Sequence, residues 1–65
     1  MIVRYFHDTD ALYIEFNKNN IAESEDLDED TVLDVDAGGN VCAITCEHAS
    51  QRTDLHILTV EGIAA

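Results

Sequence analysis

The chain has 65 residues and a formal net charge of −11, from three Lys plus Arg against 14 Asp plus Glu. That length makes one small domain, residues 1–65, with a thin core, because a domain of this size buries only about 60% of the surface its unfolded chain exposes. The charge sets the chain against phosphate backbones and anionic lipid, which argues against direct nucleic-acid or membrane binding and favours a basic partner protein, a divalent cation or plain solubility.

Hydrophobic residues make up 46% of the chain, an ordinary share for a folded domain. No apolar run approaches the ~18 residues of a transmembrane helix, and "MIVRYFHD" lacks the long apolar stretch of a signal peptide. The expected location is the cytoplasm.

Residues 2–6, "IVRYF", read as a strand rich in β-branched and aromatic side chains. "HDTD" follows as a polar turn, then a second strand, "ALYIEF", at 11–16. There Leu12, Ile14 and Phe16 share one face and Ala11, Tyr13 and Glu15 the other. Asp8 and Asp10 bracket the turn, where a carboxylate can accept hydrogen bonds from backbone N–H groups two residues on. "NKNN" at 17–20 is a second turn, and "IAESE" at 21–25 a short edge strand guarded by its charges. "DLDED" reads as an acidic loop.

Residues 31–36, "TVLDVD", form the fourth strand, with Leu33 and Val35 as its core pair. "AGGN" is a hairpin turn, because Gly38 and Gly39 supply positive φ. "VCAITC" at 41–46 is the fifth strand, with Cys42, Ile44 and Cys46 on one face. Beyond Glu47 the two-residue alternation stops, and a helical segment is expected within 48–60. Asp54 is a candidate N-cap with Leu55 and Leu58 facing the core, and Gly62 a candidate stop. The fold class is therefore α+β, mostly β: an antiparallel meander of about five short strands with a C-terminal helical segment. One sheet face needs a cover that a short helix supplies only in part, so a homodimer is expected.

Three stretches, "DTDALYI" (8–14), "LDVDAGGNVCAI" (33–44) and "EHAS" (47–50), resemble the bacterial domain-of-unknown-function family numbered 2283. The resemblance covers about residues 2–55. Ala43 stands where that family usually has glycine, and Thr45 where it often has glutamate. The resemblance implies a β-rich fold and a prokaryotic, cytoplasmic setting. It implies no activity; some relatives look like the small partners in toxin–antitoxin-type gene pairs, which hints at binding.

The acids are concentrated. Residues 21–40 hold Glu23, Glu25, Asp26, Asp28, Glu29, Asp30, Asp34 and Asp36 with no Lys or Arg. An EF-hand loop needs oxygens at positions 1, 3 and 5, glycine at 6 and glutamate at 12, and neither a start at Asp26 nor one at Asp34 satisfies this. The segment is a solvated acidic loop, a docking face for a basic partner, or a weak hydrated Mg²⁺ or Ca²⁺ site. Cys42 and Cys46 on one strand lie roughly 13 Å apart, too far for a disulfide, and read as small apolar residues in a reducing compartment. "CEH" places Cys46 and His48 on one strand face, where zinc would need His7 or His56 as well, at a spacing that matches no standard finger. No phosphate loop, nucleophile elbow or metalloprotease helix occurs.

These observations favour a small acidic, non-enzymatic protein-interaction module with no cofactor. It would be a homodimer docking a basic, toxin-like or nucleic-acid-binding protein on Glu23, Glu25, Asp26, Asp28, Glu29 and Asp30. The alternative is a divalent-metal domain using Asp8, Asp10, Asp34 and Asp36, which requires those carboxylates to converge.

Overall fold

In the computed structural model, which describes residues 1–56 and 61, every segment of strand-type alternation becomes a strand. They are β1 (Ile2–Phe6), β2 (Ala11–Glu15), β3 (Glu23–Asp28), β4 (Thr31–Val35) and β5 (Val41–Cys46), followed by one helical turn, α1 (Ala49–Arg52). The mostly-β class with a short C-terminal helix is as the sequence indicates. The five strands make one antiparallel sheet in the order β1-β2-β5-β4-β3. A hairpin, β1–β2, and a three-stranded run, β3–β4–β5, are each locally connected. They join where β2 pairs with β5, so β1 and β3 are the two edges.

Register decides which side chains meet, because directly opposed residues share a face. Val3 opposes Ile14, Ile14 opposes Ile44 and Leu33 opposes Ile44, while Leu12 opposes Cys46. One face is thus an apolar band across β1, β2, β5 and β4. The other carries Arg4, Tyr13 and Thr45 in one row and Glu15, Ala43 and Asp34 in the next. The segment after α1 crosses the apolar face: Thr53, Asp54 and Leu55 form one wall of a groove of about 270 Å³, with Val3, Leu12 and Ile14 on the other.

Little is fully enclosed. Ala11, Thr31, Val35, Cys42, Ala43 and Ala49 are buried, and none of the fully enclosed side chains is larger than that of Cys42. Cys42 sits at a bulge, beside the regularly paired Ala43. Asp34 pairs with Ala43 but Val35 pairs with Val41, so β5 carries one extra residue at Cys42. Cys42 and Cys46 are both free on one strand; Cys42 is buried and Cys46 is partly exposed.

Four boundaries differ from the sequence reading, the smallest being β4, which ends at Val35 rather than Asp36. The third strand runs over Glu23–Asp28 rather than 21–25, and the acidic "loop" shrinks to a turn at Glu29–Asp30. β3 reads "ESEDLD" and is exposed along its whole length, so it has no apolar face to announce it; pairing with β4 alone holds it in place. The second strand stops at Glu15, and Phe16 is exposed although its N–H still donates to the Cys42 carbonyl at 2.7 Å. Among the described residues the helical segment is a single turn, Ala49–Arg52. The Asp54 carboxylate accepts the His56 N–H at 3.0 Å, and the helix that Asp54 was expected to cap would run into residues outside the described ones. The expected roles of Leu58 and Gly62 lie outside the described residues.

Ala43 is 0% exposed at the centre of the sheet, between β2 and β4. Its replacement by leucine is expected to cost about 1–3 kcal/mol through overpacking, read as a lower urea midpoint with an unchanged slope.

Candidate functional site

Strand direction sorts the loops between two ends of the sheet. The β1–β2 turn, the β3–β4 turn and the β5–α1 junction lie at one end. The β2–β3 loop and the β4–β5 turn lie at the other. The charged side chains form two constellations accordingly.

The first is built on Asp10. Its φ of 54° is left-handed, a conformation aspartate tolerates better than most residues, and it turns the carboxylate towards α1. The Ser50 N–H donates to Oδ1 at 3.0 Å and the Ser50 hydroxyl to Oδ2 at 2.7 Å. The Tyr5 hydroxyl donates to Oδ1 at 2.5 Å, and the Ala49 N–H to the Asp10 carbonyl at 2.9 Å. The first turn of α1 has no cap of its own, since His48 is left-handed and its side chain makes no cap bond. Asp10, some 40 residues away in sequence, supplies that cap. The donors, Tyr5 first and then Ser50, hold the Asp10 carboxyl below its ordinary value, and the same bond holds the Tyr5 proton on and raises the phenol.

On its other side α1 is fastened to the β3–β4 turn. Arg52 donates to the Asp30 carbonyl and to Thr31 Oγ1, each at 2.8 Å, and lies 3.7 Å from Asp28. His48 Nδ1 sits 3.0 Å from Asp30 Oδ1, and the Glu47 N–H donates to the Asp30 carbonyl at 2.8 Å. Asp28 accepts the Asp30 N–H at 2.8 Å, and this bond leads the causes that lower its carboxyl. One helical turn therefore bridges both hairpin turns at this end.

The second constellation, at the far end, is Asp36. Its carboxylate accepts the Gly38 and Asn40 N–H groups at 2.9 Å and the Asn19 amide at 2.8 Å. Asn40 leads the causes that depress its carboxyl. Gly39, with φ +82°, takes the left-handed step of this turn; Gly38, expected to share it, does not.

The four aspartates of the metal reading do not converge. Asp8 and Asp10 lie at one end and Asp36 at the other, about 17 Å away along β5 at ~3.3 Å per residue. Asp34 lies within β4 and accepts the Ser24 hydroxyl at 2.5 Å. Among the described residues no group of three or more His, Cys, Asp or Glu side chains is arranged to hold a metal ion, "CEH" included. The six acids of the docking reading do gather. Glu23, Glu25, Asp26 and Asp28 lie on β3 and Glu29 and Asp30 in the turn that follows; all but the half-buried Asp30 are exposed. No helix among the described residues is long and apolar enough to cross a membrane.

The sequence reading missed Tyr5, Ser50 and Arg52 as structural partners. Each is one half of a contact whose other half is distant in the chain, except Tyr5, where a strand residue and a turn residue five apart offer no periodic signal.

The chain belongs to the family described as "Protein of unknown function (DUF2283)", whose match spans residues 2–50. That span takes in all five strands and both halves of the Asp10–Ser50 contact and stops short of Arg52. No curated protein and no solved structure matches the chain.

Asp10→Asn and Ser50→Ala are each expected to lower the melting temperature by several degrees. The double variant should lose much less than their sum, since both remove one contact. The sign in pH follows from the lowered Asp10 carboxyl. Its contribution is complete above the ordinary aspartate value of 3.8 and is lost as pH falls through the depressed folded value. Asp10→Asn should therefore flatten the acid limb of melting temperature against pH and leave its shape above about pH 5 unchanged.

Proposed function

We propose that this protein is a non-enzymatic interaction module that docks a basic protein segment along its acidic edge strand. One observation carries the reading: β3 ends the sheet, is exposed along all six residues, and bears Glu23, Glu25, Asp26 and Asp28 with no basic residue. An edge strand offers a row of backbone donors and acceptors to an extended peptide, and side-chain charge then selects among peptides. Acids alternating onto both faces of β3 reject another acidic strand and accept one bearing lysine or arginine. Glu29 and Asp30 extend the negative surface around the end of the strand.

The partner class is set by that chemistry: a basic, extended segment of a toxin-like or nucleic-acid-binding protein. The free thiols Cys42 and Cys46 suit a reducing compartment such as the cytoplasm.

A ~10-residue peptide alternating lysine with valine is the direct probe. Its addition to isotope-labelled protein should shift the amide resonances of β3 first, with binding weakened at least tenfold between about 50 mM and 1 M salt. Replacing Glu23, Glu25, Asp26 and Asp28 together by their amides should abolish it. Shifts centred on any other strand, or affinity indifferent to salt, reject the assignment.

A further inference from the structure

The opposite edge of the sheet differs from β3 in charge and in register, though both edges expose apolar side chains, Leu27 on β3 among them. β1 holds no acid, and neither does any residue from Met1 to His7, in a chain of net charge −11. Its one charge is the cation Arg4. Met1, Val3 and Phe6, all large and apolar, are 73%, 39% and 48% exposed. Among the described residues nothing pairs with the outer side of β1. Edge strands are normally guarded by charge, bulges or brevity. β3 has four acids and a register shift between Asp26 and Asp28, whereas β1 pairs with β2 in unbroken register and carries a single cation, Arg4.

From this asymmetry we infer that β1 is the self-association edge, where a second copy of this chain adds its own β1 antiparallel to form a continuous ten-stranded sheet. Charge selects the occupant's site. Two chains of −11 repel, so they meet at lowest cost where neither presents an acid, and β1 is the edge that meets this condition. Symmetry supports the same geometry: a two-fold axis normal to the sheet brings identical edges together antiparallel and keeps each face on its own side. The pairing must then oppose residues of equal parity. Arg4 against Arg4 sets like charges together and is disfavoured. A shift of two residues either way opposes Arg4 to Ile2 or to Phe6, giving the arginine stem an apolar neighbour and placing Val3 or Tyr5 on the axis.

This goes beyond docking on β3 and separates from it in salt. Screening relieves repulsion between like-charged chains, so self-association tightens as salt rises, whereas docking of a basic segment weakens. The test is the solution mass of the full chain, by sedimentation equilibrium at about 50 mM and about 1 M salt. Wild type should run as a dimer, more tightly in high salt. Val3→Glu and Arg4→Glu should each weaken association at least tenfold with the sheet's circular dichroism kept. Leu27→Glu, on β3, and the four-amide β3 variant should leave the dimer intact. A wild-type monomer in both salts, or a dimer broken by Leu27→Glu and untouched by Val3→Glu, overturns the inference. Should a β1 variant lose its sheet, wild-type hydrogen exchange decides. Protection of β1 amides should fall on dilution while β3 amides stay constant; equal behaviour of the two edges overturns it.

Discussion

The Asp10 carboxylate holds together what the sheet alone cannot. A single layer of five short strands encloses almost nothing, and its helix is one turn long, far below the length at which a helix supports itself. α1 exists because its first N–H groups are satisfied from outside by Asp10 and because Arg52, at its far end, reaches the backbone of the β3–β4 turn. The same few bonds fix the path of the chain as it leaves β5, and so fix where residues 53–55 cross the apolar face. The two hairpin turns, neighbours in space and distant in sequence, are joined by this one element.

Charge is arranged as unevenly as packing. Glu23, Glu25 and Asp26 of β3 stand exposed, while Asp28 at the end of that strand and the acids at the two ends of the sheet are consumed in turn geometry. Asp10, Asp28 and Asp36 each accept several hydrogen bonds and hold their protons less readily for it. The acidic composition therefore contains two populations: carboxylates with a structural task, and carboxylates with none beyond the surface they present. Composition alone counts both the same. The sheet's two edges inherit this division, one whose charges are all acidic and one with a single cation among apolar side chains.

Much of the fold was legible because strand periodicity is local. The spans of β1 and β5, the start of β4 and the glycine turn follow from alternation and from the Gly38–Gly39 pair, which need no knowledge of the rest of the chain, although only Gly39 takes the positive φ. The end of β3 was not legible, since "ESEDLD" has no buried face and is a strand only because β4 lies beside it. Asp10 illustrates the same limit at the candidate site. Its position before a strand marks it as a turn residue, which is correct, but its ligand Ser50 lies 40 residues on. The grouping of the acids on and after β3 was visible as a charge run; that they occupy an edge was not.

The amino-acid sequence by itself determined the strand content, the absence of a Cys42–Cys46 bridge and the negative surface, because each depends on the spacing or sum of neighbouring residues. Tertiary structure alone decided the order β1-β2-β5-β4-β3, the distance between the Asp10 and Asp36 turns, and the capping of α1 from across the sheet. Those depend on which strands pair, and pairing is a competition among all possible neighbours that no single segment encodes.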